Sequence, residues 1–357
     1  MPLFMDIHHI ESIPFTEEDA YRAHLRDLAV QNKYGLVYKK YYLNIEQRTI
    51  CCLMQGPSKE SCVASHQESQ GIGPCNLVEV SPETEFYPYL GEGSKNDKDL
   101  ALTLSGEVDT GYRTLMQINT TSFGKNTERV FADIARYVTD YDGNVVERPE
   151  PAVLASFIKP QKAISCAVIL RDYLRAIFDP ALFTIAVVTG KPIDKKGNRL
   201  FEDTLNRLTT LKYMGQNGKV TADEASETSY RRFSHMKYSL QHVNVLSRDN
   251  EILLRSLYDS VHLNLDNTGF KTEHLQDVVG ASKAQAYRKI KGLTGLSPNE
   301  FIREVRLRRS VEALSKNGKT VAEIAYAHGF SSPTYFTRVF KERFGHLPTA
   351  IVKQYFA

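Results

Sequence analysis

The chain has 357 residues, of which 42% are hydrophobic and 24% charged, a balance that excludes a disordered, fibrous or membrane-spanning protein and calls for two or three domains. Its net charge of +3 hides an uneven distribution: residues 251–357 hold 16 Lys and Arg against 10 Asp and Glu, an excess of six, whereas residues 1–250 hold 29 against 32. The basic third is the first place to look for a polyanion partner.

The amino terminus, Met1-Pro2-Leu3-Phe4-Met5-Asp6, lacks the basic start and apolar run of a signal peptide. No stretch approaches the roughly 18 apolar residues of a spanning helix. The five cysteines are odd in number, so a reducing cytoplasm, away from any membrane, is the expected setting. Over residues 1–80, short β-rich runs at Leu3–Ile7, Gly35–Tyr42, Thr49–Met54 and Asn76–Val80 alternate with amphipathic stretches at Glu17–Gln31 and Ser58–Glu68. The order β-α-β-β-α-β predicts a ferredoxin-like sandwich.

The same eighty residues hold His8, His9, His24 and His66 together with Asp6, Asp27, Cys51 and Cys52. Imidazole is the commonest metal ligand and thiolate suits soft or borderline ions, so His8 and His66 can converge with Cys51 or Cys52 on nickel, zinc or copper. The candidate ligands are His8, His66 and Cys51. No pair has a spacing such as CxxC or HxxxH, and the thiols also read as small core hydrophobes. Met1 to His8, the helix with His24, Asp27 and Gln31, Tyr34-Gly35, Cys51-Cys52-Leu53, Gly56-Pro57-Ser58 and His66 resemble a family of small ferredoxin-like proteins, one branch of which is nickel-binding. That resemblance implies a divalent transition metal such as nickel as cofactor. It is imperfect where a His-Gly pair is expected after the second helix and this chain has Gln70-Gly71. An alternative use of the module is dimerisation or binding of an organic ligand.

Residues 81–100, with Pro82, Pro88, Gly91, Gly93 and the polar run Ser94 to Lys98, read as a linker. From 101 to 225 strands are expected at Arg113–Gln117, Ala152–Phe157 and Phe183–Thr189, and helices at Thr127–Tyr141, Gln161–Arg175 and Arg199–Tyr213, which together make a buried sheet flanked by helices. Val146 to Phe157 running into Ala163 to Leu174, and Phe183 to Gly197 with Phe201 to Val220, resemble class III nucleotide cyclase domains. The cyclase reaction needs two carboxylates to hold Mg²⁺. Where the family has a Gly-Asp-Gly turn this chain reads Glu150-Pro151-Ala152, and over Thr114 to Ser122 the nearest polar candidate for the other aspartate is Asn119. Proline cannot ligate a cation, so no enzyme activity is expected. A cyclase-like or metal-dependent enzyme is the alternative class.

Residues 226–250 read as a polar helical connector. Beyond it two short-helix, tight-turn, longer-helix units appear: Thr272 to Gly280 followed by Ser282 to Leu293, and Thr320 to Phe330 followed by Ser331 to Phe344. A helix from Ser297-Pro298 to Ser315 joins them. Such a pair suits duplex DNA, because each second helix can enter a major groove. Leu296-Ser297-Pro298, Phe301, Arg306, Arg309, Val321 to Ala325, Gly329 to Phe336, Arg338, Phe340-Lys341, Phe344-Gly345 and Pro348 resemble the DNA-binding domain of AraC/XylS-type transcription regulators over about 100 residues.

Helical spacing projects Lys283, Ala284, Tyr287, Arg288 and Lys291 from the first recognition helix, with Ala286 and Ile290 inward. It projects Thr334, Thr337, Arg338 and Lys341 from the second, with Tyr335, Phe336, Val339 and Phe340 inward. Arg288 and Arg338 can pair with guanine through the guanidinium fork, and the lysines suit phosphate. The family resemblance places base-reading positions at Ala284, Tyr287, Arg288, Thr334 and Arg338. The expected architecture is therefore multidomain, α+β plus all-α: two ferredoxin-like α/β sandwich domains (1–80 and 101–225) followed by an all-helical tandem helix-turn-helix domain (251–357). The expected function is a dimeric regulator of promoter DNA, with RNA polymerase and a metal or small-molecule effector as further partners.

Overall fold

The computed structural model describes residues 1–11, 14–120, 127–147, 152–179, 182–213, 218–233, 240–316 and 318–356. The chain begins with β1 (Leu3–His9), α1 (Glu17–Val30), β2 (Val37–Asn44), β3 (Thr49–Gln55), α2 (Lys59–Gln70) and β4 (Asn76–Val80). The four strands form one antiparallel sheet ordered β2-β3-β1-β4. Thr16 starts α1 by accepting the Asp19 amide, while the Asp19 carboxylate accepts the Thr16 N–H. Ser58 starts α2 by accepting the Ser61 amide.

Strand alternation sorts this sheet into two apolar faces. Phe4, Tyr38, Tyr41, Cys52 and Met54 pack under the two helices with Ala20 and Cys62. Met5, Ile7, Tyr42, Cys51, Leu53 and Val78 face the other way, into a core shared with the rest of the chain.

Residues 81–100, expected as a linker, carry α3 (Tyr87–Leu90) and β5 (Ser94–Lys95), which pairs with β6 (Ala101–Leu102). Phe86, Tyr89, Leu90 and Leu100 are buried. The Pro and Gly content marks turns correctly, but these four side chains have apolar area to bury. Arg113 then fixes the segment from inside, donating to both Asp109 oxygens and to the carbonyls of Tyr89 and Leu90.

The second sheet is built from β7 (Arg113–Thr120), α4 (Thr127–Asp140), β8 (Gly143–Glu147), β9 (Ala152–Phe157), α5 (Pro160–Ile177), β10 (Phe183–Gly190), α6 (Glu202–Leu211), β11 (Val220–Asp223), α7 (Glu224–Phe233) and β12 (Val243–Leu246). Its order is β12-β11-β10-β7-β9-β8, parallel from β10 to β12 and antiparallel elsewhere. Gly143 is required where β8 crosses Phe157, since a Cβ there would sit 2.4 Å from the ring. The connector at 226–250 is not helical throughout: Val243–Leu246 adds a strand beside β11, as its β-branched valines favour.

The remainder is helical: α8 (Arg248–Leu263), α9 (Thr272–Val279), α10 (Lys283–Thr294), α11 (Pro298–Leu314), α12 (Val321–Ala327), α13 (Pro333–Phe344) and α14 (Pro348–Phe356). Arg207 on α6 ties the second sheet to α8, donating to both Glu251 oxygens, to Asp223 and to the Thr189 carbonyl. Lys212 reaches Glu312 on α11 at 2.8 Å.

At the heart of the helical region, buried Glu304 accepts from Arg308 at 2.6 Å and from Arg343 at 2.7 Å. Burial raises the Glu304 pKa, but the two guanidinium charges outweigh it and bring it down to about 2. A carboxylate held below its ordinary value stabilises the fold fully above that value and loses this contribution as pH falls. Glu304→Gln is therefore expected to destabilise the chain by about 3 to 5 kcal/mol, because it strands buried Arg308 and half-buried Arg343. In acid titrations followed by denaturant melts, the wild type should lose its advantage over this variant as pH falls from about 4.5 towards 2.

Candidate nucleic-acid interface and metal centre

Each helix-turn-helix unit is shaped by its caps. Gly280 ends α9 in the left-handed region at φ 64°, and Gly295 and Gly345 end α10 and α13 in the same way, each at φ 76°. Ser282 starts α10 with its N–H and hydroxyl on Gln285 Oε1. The cap of α9 is Lys271, whose N–H reaches His274 Nδ1 at 3.1 Å. In the second unit Thr320 and Glu323 bond reciprocally, and Ser332 accepts the Tyr335 amide.

On α10, Lys283, Ala284, Tyr287, Arg288 and Lys291 are exposed while Ala286 and Ile290 are buried. On α13, Thr334, Arg338 and Lys341 are exposed, Thr337 is half-buried, and Phe336, Val339 and Phe340 are buried. Tyr335, expected inward, is 40% exposed. It lies one residue, about 100° of helix, off the Phe336–Phe340 row, and its ring sits 5.3 Å beneath the Arg338 guanidinium. The first unit repeats this pairing, with the Lys291 ammonium 5.7 Å from the Tyr287 ring. Each candidate reading face thus carries a cation on an aromatic platform. Arg338 also touches Glu342 at 3.3 Å, an exposed pair that holds it only weakly.

The arginines of α11 do different work. Arg306 is buried and donates to the carbonyls of Gly329 and Asn267, pinning the turn of the second unit to the loop before α9. Gly329 has φ 72°, and a Cβ there would lie 2.5 Å from the Leu265 carbonyl oxygen and 2.6 Å from the Arg306 guanidinium carbon, so glycine is obligatory.

At the N-terminal end, Asp6, His8, Cys52 and His66 bring one donor atom each to within 4.8 Å of one another, under α1 and α2. His66 Nε2 lies 2.6 Å from Asp6 Oδ2 and its Nδ1 lies 3.3 Å from Asp27 Oδ1. Neither ring nitrogen makes an aligned hydrogen bond among the described residues. His8 Nε2 is 3.2 Å from the same Asp6 oxygen. Cys51, expected as the thiolate, is on the opposite face of β3, and Cys52 is the thiol that joins the cluster. Asp6 was the less obvious member. Its signal in the sequence is an acid at an inward position of an otherwise apolar strand.

Burial pushes the Asp6 carboxyl up, but the charges of His8 and His66 outweigh it and hold it well below the usual carboxylate range. Burial lowers His66, but Asp6 and Asp27 outweigh it and carry it up to about 10. Burial and Asp6 together push the Cys52 thiol well up. Two imidazoles, a carboxylate and a thiol in one buried site, with both nitrogens of one ring lacking an aligned partner, are a donor set that fits a borderline divalent ion. In the second sheet, Asn119 Nδ2 reaches Thr184 Oγ1 at 3.4 Å, and Pro151 lies outside the described residues.

Two family models match the chain: a helix-turn-helix domain over residues 275–354 and a nickel responsive protein SCO4226-like model over residues 4–80. The chain is similar to histidine kinase P4 of Formosa agariphila, at 32% identity over 35% of this chain and 9% of that protein. It is similar to the probable transcription factor PqrA of Proteus vulgaris, at 33% identity over 23% of this chain and 67% of that protein. Among solved structures, SCO4226 from Streptomyces coelicolor is 29% identical over 22% of this chain and 94% of that one, with a TM-score of 0.21. The chain thus spans about a tenth of the kinase's length and two thirds of PqrA's.

The face-sorting of β3 makes a sharp prediction. Cys52→Ser should weaken nickel binding to the full chain, measured by equilibrium dialysis, at least about tenfold, the cost of losing even an outer-shell partner. Cys51→Ser should leave it unchanged.

Proposed function

We propose that this chain, which belongs to the AraC-type helix-turn-helix transcription regulators, binds duplex promoter DNA through α10 and α13 and adjusts that binding to the state of its N-terminal module. The observation that carries this reading is the pair of exposed, cation-bearing helices, each started by a serine cap and ended by a left-handed glycine, joined by one buried helix. Duplex DNA presents successive major grooves on one face, which two such helices can enter together. Arg288 and Arg338 read base edges, Lys283, Lys291 and Lys341 neutralise phosphate, and Ala284, Tyr287, Thr334 and Thr337 fill the groove around them. Tyr335 joins this set as the support for Arg338.

In this reading residues 1–80 sense, residues 101–225 relay or dimerise, and residues 251–357 read DNA. The strand orders of the two sheets support treating both α/β modules as ferredoxin-like sandwiches, the second extended by two parallel strands. Asp6, His8, Cys52 and His66 would hold a divalent transition ion such as nickel, supported by the donor geometry and by the family model over residues 4–80. When bound, the ion would supply positive charge at the point where β1, β3 and α2, the elements carrying these four residues, meet. The chain is read as a regulator without catalysis, because a proline at 151 offers no ligand for a catalytic cation.

Binding assays on specific and random duplexes test the DNA roles. Arg338→Ala should cost about 1 to 3 kcal/mol of discrimination at one base pair. Lys341→Ala should weaken both duplexes alike and reduce the salt slope by about one. Equal loss on both duplexes for Arg338→Ala would remove it from base reading.

A further inference from the structure

Asp27 of α1 stands beside the four-donor cluster without belonging to it. The residue is almost fully buried. Its Oδ1 lies 3.3 Å from His66 Nδ1, while Asp6 takes the other ring nitrogen, with Oδ2 2.6 Å from Nε2. The same Asp27 oxygen accepts hydrogen bonds from Gln70 Nε2 at 2.9 Å and from the Ser69 hydroxyl. Gln70 is fixed in turn: its Nε2 also donates to the Ala23 carbonyl at 2.7 Å, and its Oε1 accepts from Nε and Nη2 of Arg26 at 3.3 and 2.8 Å. Only one orientation of the amide suits all three partners, because the guanidinium can only donate and the carboxylate and carbonyl can only accept. Asp27 Oδ1 is therefore held in place by two donors from the end of α2.

A buried carboxylate is a costly way to join two helices, and its placement gives it another use. An imidazole that ligates a metal through one nitrogen donates the N–H of the other to a carboxylate, carbonyl or water, which fixes the tautomer. Asp27 stands where that partner is needed, within reach of Nδ1 although not in line with it.

We propose that Asp27 is the positioning residue for His66, keeping the proton on Nδ1 and leaving Nε2 to a divalent ion shared with Asp6, His8 and Cys52, and that Gln70 and Ser69 act through Asp27. The proposal rests on the reading of those four residues as a metal centre. It makes α1, which supplies none of the four donors, part of that centre, through contacts that run from exposed Arg26 by way of Gln70 and Asp27 to His66.

The test uses the full chain and measures nickel affinity by competition with a chelator. Asp27→Asn keeps the size of the side chain and removes its charge, and should weaken nickel binding by about ten- to a hundredfold, the range for losing such a partner. Ser69→Ala and Gln70→Leu should each cost less, and neither should add its full loss to that of Asp27→Asn, because both act through the same carboxylate. Should Asp27→Asn fail to fold, these two variants carry the comparison. Nitrogen NMR of the zinc-loaded chain with isotope-labelled histidine gives a readout that a mere helix clamp would not move. His66, identified by its loss in His66→Gln, should be protonated on Nδ1 and ligated through Nε2 in the wild type, and should lose that single form in Asp27→Asn. Wild-type nickel affinity in Asp27→Asn, fully additive losses in the double variants, or His66 ligated through Nδ1 would overturn the proposal and leave the metal centre standing. Weakened binding with the form of His66 unchanged would reduce Asp27 to a clamp and overturn it as well. A wild-type chain that takes up no nickel overturns the metal centre and the proposal together.

Discussion

A β-sheet covered by helices on one face has a second face to bury, and this chain has two such sheets. The bare face of the first, with Met5, Ile7, Tyr42, Cys51 and Leu53, and residues of the second, with Leu115, Leu154, Ala186 and Val188, belong to one apolar core. Phe86, Tyr89 and Leu90 from the segment after β4 join it, as do Phe201, Leu208 and Leu211 around α6. The same core continues through Leu254, Leu257 and Val261 of α8 to Phe301, Ile302 and Val305 of α11. Burial on this scale is the main force available to hold modules together, and the few charges that cross it, Arg207 with Glu251 and Lys212 with Glu312, fix its register.

That constraint also decides which side chains become chemical. In β3 the period of two sends Cys51 into the shared core and Cys52 under the helices. One thiol becomes packing and its neighbour joins the cluster of Asp6, His8 and His66, although nothing in their composition separates them. In β1 the same alternation points Asp6 and His8 to the helix side, where His66 of α2 and Asp27 of α1 meet them. An acid in that position is tolerable only because imidazoles surround it. The site is thus a consequence of which face the rest of the molecule needed.

Much of this was legible in the sequence because local rules carry it. The caps at Thr16, Ser58, Ser282, Ser297 and Thr320 and the glycines at 280, 295 and 345 are short-range signals, and the elements begin and end at them. What was not legible depended on long-range partners. The strand Val243–Leu246 forms because β11 has a free edge for it, and no local pattern reports that edge. The packed segment 81–100 looked like a linker because its prolines and glycines are visible and its destination is not. Choosing between Cys51 and Cys52 required knowing which face the helices cover.

The charge of the C-terminal third changes meaning once its partners are known. Of the four arginines on α11, Arg306 holds two backbone carbonyls, Arg308 holds Glu304 together with Arg343, and Arg309 holds Glu312. Their charges are committed within the fold, so an excess counted along the sequence overstates what a polyanion meets. The cations exposed on α10 and α13 are fewer: Lys283, Arg288, Lys289, Lys291, Arg338 and Lys341. Counterion release scales with the phosphates neutralised, so in the proposed reading these side chains, and not the net charge of the region, set how steeply DNA affinity falls with salt. Arg306 and Arg308 act one step back, the first by holding the second turn against α11 and the second by sharing Glu304 with Arg343 of α13.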